Sequence, residues 1–201
     1  MKKYFSFLSI LIISFYSSQQ TEGLRLIKEK YIPEFEGIIS KYKNITTSKL
    51  SKKELKLLQS QKEKELNALE FKRNDEYLAE LANIKANPPV VHFDPKTIQP
   101  LNEKGEIQPI YPTGINGFKQ EIADKFCAGN INAKGKISTV VTMIIEKDGS
   151  IVNVKAEGTN DDFNRQAELA VYLTEYKWEP ARINGYPVRY RFRIPLNLNF
   201  D

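Results

Sequence analysis

The chain has 201 residues, of which 41% are hydrophobic, 11% aromatic and 27% charged. This composition is that of a folded protein and excludes a wholly disordered chain. The formal net charge is +5, but Lys2 and Lys3 precede an apolar N-terminal segment, and without them 28 basic groups stand against 25 acidic ones. Because this small excess is spread along the chain, the sequence lacks the concentrated basic surface of a nucleic-acid-binding protein.

The first twenty residues have the three regions of a secretory signal peptide. Lys2 and Lys3 are followed by the apolar run 4–16 and then by the polar residues 17–20. The run is shorter than the roughly 18 apolar residues that a membrane-spanning helix needs. We therefore expect segment 1–20 to be cleaved and the mature chain to be periplasmic or secreted, with no integral membrane span. An uncleaved short anchor is the alternative.

The chain has one cysteine and one histidine, Cys127 and His92. A single cysteine cannot form an intramolecular disulfide, so the core must hold the fold. We interpret Cys127 as a small apolar packing residue, with a reactive thiol as the alternative. Neither residue belongs to a nucleophilic or metal-binding motif. We therefore expect no catalytic residue, no metal site and no cofactor, and predict that the protein is not an enzyme.

Helical periodicity dominates residues 22–45. The apolar side chains recur three or four residues apart and make one stripe, which Pro33 interrupts. The pattern predicts either one kinked helix or two short ones. The stripe consists of Leu24, Ile27, Tyr31, Phe35, Ile38, Tyr42 and Ile45.

A second, longer helix is predicted to begin at Ser51. Ser51 and Glu54 have the spacing of a capping box, and the residues from there to Lys85 include neither Gly nor Pro. No unbroken heptad runs through this segment, so a dimeric coiled coil is disfavoured. We therefore predict a helical hairpin over 21–87 and a Pro-punctuated linker over 88–112.

Residues 113–201 have mixed helical and strand periods, so the chain as a whole is predicted to be α+β. The most regular alternation lies in the last strand, where apolar residues occupy even positions and Arg, Pro or Asn occupy odd ones. The predicted elements are a helix over 116–128, a strand over 137–146, a turn at 147–149, a strand over 150–157, a helix capped by Asn160, Asp161 or Asp162, and a strand over 188–200.

The segment 178–187 joins the last helix to the last strand. Trp178 supplies a large apolar anchor, and Pro180 ends the helix. Asn184 and Gly185 supply the positive backbone angles of a tight turn, and Pro187 stiffens the entry to the strand. We interpret these five residues as mainly structural.

This motif resembles the TonB C-terminal domain family. The resemblance covers residues 113–201, with the strand and turn 140–149 upstream and a Tyr111-Pro112 pair ahead of the first helix. It implies a small domain with a three-stranded antiparallel sheet and two helices. It also implies a non-catalytic role, in which an extended segment of a partner protein adds to an edge strand.

The resemblance implies that the last strand, 188–199, is this binding edge. Its polar side chains would then face outward to meet acidic groups of the partner. The alternative is a solvated charged face that blocks aggregation. The residues concerned are Arg189, Arg191, Arg193, Asn197 and Asn199.

The expected partner is a protein, and the resemblance points to a segment of an outer-membrane receptor or transporter linked to TonB-dependent transport. A homodimer is a second option. Full TonB proteins resemble one another in carrying a membrane helix with a functional histidine and a long Pro-rich spacer. Here segment 1–20 has no histidine, and the predicted hairpin and a short Pro-punctuated linker follow it. The alternative function is that of a periplasmic structural or chaperone-like protein that works through the hairpin.

Overall fold

The computed structural model describes residues 21–45, 50–89, 100–102 and 104–200. The predicted signal peptide and His92 lie outside them. Within the described residues the chain is α+β, as predicted. The helices are α1 (Glu22–Lys43), α2 (Lys52–Ala86), α3 (Gly114–Asp124) and α4 (Asp161–Tyr172). The strands are β1 (Glu106–Ile107), β2 (Gly135–Ile145), β3 (Ile151–Gly158), β4 (Arg182–Ile183), β5 (Tyr186–Pro187) and β6 (Tyr190–Phe200).

The predicted helical hairpin is confirmed as α1 packed on α2. Of the two predicted arrangements, α1 forms a single helix that continues through Pro33. The predicted capping box opens α2: Ser51 Oγ accepts the Glu54 N–H at 3.3 Å, and Glu54 Oε2 accepts the Ser51 N–H at 2.8 Å. These bonds satisfy two amides that a helix N-terminus leaves without partners.

Two matching contacts join the hairpin helices. The Tyr31 hydroxyl donates to Glu76 Oε1 at 2.7 Å, and the Tyr42 hydroxyl donates to Glu65 Oε1 at 2.8 Å. In each case the lysine before the tyrosine pairs with the same carboxylate at 2.6 Å. The contacts recur at the same interval on both helices, which is about three helical turns, so both fall on the facing sides.

The main sheet is antiparallel with strand order β3-β2-β6. The turn between β2 and β3 places Gly149 at φ 79°, where a Cβ would lie 1.8 Å from the Trp178 carbonyl oxygen. A register shift between Thr142 and Ile144 marks a bulge in the β2–β3 pairing. Asn153 lies opposite this shift with φ 53°, a conformation that asparagine tolerates better than most residues.

One hydrophobic core includes residues of the main sheet, of α4, of the beginning of α1 and of the end of α2. Fully buried residues of α4 and β2 belong to the same apolar cluster as Leu24 of α1 and Tyr77, Leu81 and Ile84 of α2. Burying these side chains against α4 removes apolar surface from water, at roughly 25 cal/mol per Å². The hairpin is therefore packed on the C-terminal region.

The remaining elements depart from prediction in several places. The last helix was predicted to end at Pro180, but α4 ends at Tyr172. The Trp178 and Glu179 N–H groups donate to the carbonyl oxygens of Gly149 and Ile110, so this segment pairs with distant parts of the chain and does not continue the helix. The helix predicted at 116–128 runs over Gly114–Asp124, and Ala128–Asn130 is a separate 3₁₀ turn. A small second sheet, β1-β4-β5, was not predicted. Its strands have two residues each, too few to display an alternation, and β1 lies within the interval predicted as a linker.

Candidate functional site

The candidate site is the edge of β6 that does not pair with β2. The hydrogen bonds at the turn between β2 and β3 show which residues of β6 direct their backbone groups toward this edge. The Glu146 N–H donates to the Ser150 carbonyl oxygen at 2.8 Å, so the backbone groups of Glu146 face β3. Along a strand, the backbone N–H and C=O groups of successive residues point to opposite neighbouring strands. Because Glu146 faces β3, the backbone groups of the odd-numbered residues of β2 face β6. Each of these pairs with an even-numbered residue of β6, as Val141 does with Ile194. The odd-numbered residues of β6 therefore present their N–H and C=O groups to the free edge.

Pro195 fits this geometry. It lies in the middle of β6, opposite Val140, in a strand paired with β2 along its whole length. Proline has no N–H and is tolerated in sheets where the missing donor would face away from the neighbouring strand. At an odd position of β6 the missing donor falls on the free edge, so the pairing with β2 is complete.

The opposite edge of the sheet, β3, is occupied by side chains of α4. The Val154 N–H donates to the Tyr172 hydroxyl at 3.3 Å, and the Ala156 N–H donates to Glu168 Oε1 at 2.9 Å. In the part of the chain that the structure describes, no side chain bonds in this way to the outward backbone groups of β6, and β2 is its one strand partner. The two edges of the sheet therefore differ in accessibility.

The polar residues predicted for the site line the outer face of β6 and its continuation. Arg189 pairs with Glu146, with 2.7 Å between Nη2 and Oε1. Arg191 lies opposite Ile144 and Arg193 opposite Thr142, so both have neutral cross-strand neighbours. All three arginines, and the two asparagines Asn197 and Asn199 farther along the strand, are exposed or half-exposed.

Of the five motif residues, Trp178 packs behind this strand. The Trp178 side chain is 4% exposed, and its ring lies 4.9 Å from those of Phe118 and Phe192 and 5.1 Å from that of Tyr111. These rings link α3 to the inner side of β6. Asn184 and Gly185 have φ of 48° and 82° and form the two-residue turn between β4 and β5. Pro180 precedes β4, and Pro187 ends β5.

Sequence reasoning missed the contacts of Glu168. Its Oε2 accepts a hydrogen bond from Lys85 Nζ at 2.5 Å, and its Oε1 accepts one from the Ala156 N–H at the edge of β3. The sequence could have indicated such contacts, because Glu168 is the one ionisable residue among apolar residues in the run 167–171. Such a residue is rarely buried without a partner.

A polar cavity of about 240 Å³ lies where the hairpin meets α3 and α4. Basic and acidic side chains both line it, so its charges compensate one another. Two of the lining lysines, Lys28 and Lys125, also bond to Glu175, which is not part of the lining, at 3.1 and 3.3 Å. The buried Cys127 also lines the cavity, and burial raises the pKa of its thiol, which disfavours the reactive thiolate.

Among the described residues, no group of three or more His, Cys, Asp or Glu side chains is arranged to hold a metal ion. None of the described helices combines the length and the apolar character that crossing a membrane requires. Comparison with known proteins found no matching family model, no matching curated protein and no matching solved structure.

Proposed function

We propose that this chain is an exported, non-catalytic protein-binding module of the TonB C-terminal type. In this proposal an extended segment of a partner protein adds to the free edge of β6. The partner is a segment of an outer-membrane receptor or transporter, and the binding serves TonB-dependent transport. The five outward residues predicted from the sequence lie along this edge, and the added strand would meet some of them.

The difference between the two sheet edges carries this proposal. Edge addition requires a row of backbone donors and acceptors without partners. On β3, the outward amides of Val154 and Ala156 are bonded to side chains of α4. On β6, the outward groups of Arg191, Arg193, Asn197 and Asn199 have no such partner among the described residues. A strand arriving at the sheet would therefore find its bonds on β6.

A second candidate function rests on the hairpin, because several of its large apolar side chains are exposed. Leu26, Ile32 and Ile39 of α1 are 45–52% exposed, and Leu57 of α2 is 60% exposed. A structural or chaperone-like protein would use such side chains to hold apolar segments of its clients.

Photo-crosslinking in the exporting cell separates the two functions. A benzoylphenylalanine at Arg193 should capture the partner, and one at Ile39 should not. The purified partner segment should then slow hydrogen exchange at the odd-numbered amides of β6 that it covers, while the even-numbered amides are already protected by β2. Crosslinks formed at Ile39 alone, with unchanged exchange along β6, would favour the hairpin function.

A further inference from the structure

Pro195 divides the free edge of β6 into two short stretches. Outward N–H groups lie at Arg191 and Arg193 on one side of it and at Asn197 and Asn199 on the other. A partner strand that crossed Pro195 would lose one backbone bond there and would meet the proline ring in place of a donor. A short segment that occupies one stretch avoids both costs.

The two stretches differ in charge. Arg191 and Arg193 form no ion pair among the described residues, and their cross-strand neighbours Ile144 and Thr142 are neutral. Glu157 of β3 attracts Arg193 electrostatically, but its ion pair is with Lys155. Asn197 and Asn199 are uncharged amides. A strand added beside β6 would place alternate side chains directly opposite those of β6, where opposite charges attract and like charges repel. The arginine stretch therefore selects for acidic residues, and the asparagine stretch does not select by charge.

The inner side of the arginine stretch is apolar. Tyr190 and Phe192 are half-buried, and the ring of Phe192 packs on that of Trp178 at 4.9 Å. The intervening side chains of an added strand would lie along these rings and cover their remaining exposed surface. The two sides of this stretch thus favour acidic and apolar residues in alternation.

We infer that the bound segment is short, alternates acidic with apolar residues, and pairs with the stretch from Arg189 to Ile194, ending at Pro195. This inference rests on the proposed function, because it assumes strand addition at β6. It adds which half of the edge is used and which chemistry is recognised.

Binding of defined peptides to the mature chain tests the inference. The probes are three labelled six-residue peptides in which Val alternates with Glu, with Gln or with Lys, measured by fluorescence anisotropy. Two opposite-charge pairs should make the Glu peptide bind about fivefold to twentyfold more tightly than the Gln peptide, and the Lys peptide should bind most weakly. This preference should shrink as salt is added.

Variants of the two stretches locate the binding. The double variant Arg191→Gln, Arg193→Gln keeps the backbone donors, so it should lose the Glu preference and still bind the Gln peptide. Arg193→Pro removes a donor from the arginine stretch and should weaken all three peptides. The matched variant Asn197→Pro removes a donor from the other stretch and should leave binding unchanged. Circular dichroism checks that each variant is folded.

The outcomes separate this inference from the proposed function. Weakening by Asn197→Pro but not by Arg193→Pro, or equal affinity for the three peptides, overturns the inference while strand addition stands. Insensitivity to both prolines overturns both. Absence of measurable binding of the Glu peptide also overturns the inference. If Arg193→Pro does not fold, amide exchange of the wild-type chain decides: the Glu peptide should protect Arg191 and Arg193, but not Asn197 and Asn199.

Discussion

Glu168 of α4 and Lys85 of α2 form an ion pair, with 2.5 Å between Oε2 and Nζ, in which the Glu168 side chain is only 4% exposed. The other carboxylate oxygen accepts the Ala156 N–H of the edge strand β3. One carboxylate therefore joins the hairpin to the sheet and covers the edge that the candidate site does not use. Its charge is tolerated in a buried position because both oxygens have partners.

Replacement of Glu168 should destabilise the protein by an amount that depends on whether the Ala156 N–H of β3 keeps a hydrogen-bond acceptor. Glu168→Ala leaves the Ala156 N–H without an acceptor and should cost about 2 to 3 kcal/mol. Glu168→Gln keeps an acceptor of the same size and should cost about 1 kcal/mol or less. Urea unfolding measures both values. Equal losses for the two variants would mean that the bond to β3 contributes nothing.

Trp178→Ala should cost about 3 to 5 kcal/mol, because it empties the centre of an aromatic cluster that links α3 to β6. The expected loss follows from the burial of Trp178 and its ring contacts with Tyr111, Phe118 and Phe192. Thermal melting checks it, with Tyr186→Ala on an exposed side chain as the control. If Trp178→Ala has the same melting temperature as the wild type, the Trp178 ring does not contribute to the core.

The elements with long, regular patterns were predicted, and those that depend on distant contacts were not. The stripe of α1, the capping box at Ser51 and the alternation of β6 are local features, readable within one segment. The edge position of β6 follows from its pairing with β2, which sequence pattern alone does not specify. The covering of β3 by Glu168 depends on Lys85, far away in the chain. Sequence reasoning therefore identified the candidate strand but not why the other edge is closed.

Acidification should weaken the hairpin. A hydrogen bond from Lys30, and to a smaller extent one from Tyr31, lowers the pKa of the Glu76 carboxyl below its ordinary value of 4.5. Hydrogen bonds from Lys41 and Tyr42 lower the pKa of the Glu65 carboxyl in the same way. A lowered pKa adds stability that is present above the unfolded value and lost as pH falls through the folded one. Stability should therefore fall between about pH 5 and pH 3.

The variant Glu65→Gln, Glu76→Gln isolates this effect. It should be less stable than the wild type at pH 7 and should lose less stability between about pH 5 and pH 3. Glu63→Gln, at an exposed position of α2 with no ion pair among the described residues, is the matched control and should follow the wild-type curve. Parallel curves for all three proteins would show that these contacts do not govern the acid response.

Pro195→Thr should make the chain self-associate. Threonine restores an N–H at the one outward position of β6 that lacks it, so donors would follow one another from Arg191 to Asn199 without a gap. A long, uninterrupted edge is a template for pairing with a second copy, and proline is one of the residues that prevent this. The folded domain should tolerate the change, because residue 195 is exposed and β-branched residues suit strands.

Sedimentation velocity over a range of concentrations measures the effect. The wild type should show less association than Pro195→Thr at every concentration. The double variant Pro195→Thr, Asn197→Pro moves the gap by two residues and should return association to the wild-type level, because it interrupts the edge again at an outward donor. Association of the double variant equal to that of Pro195→Thr would mean that the copies meet through a surface other than β6, and the role assigned to Pro195 would fail.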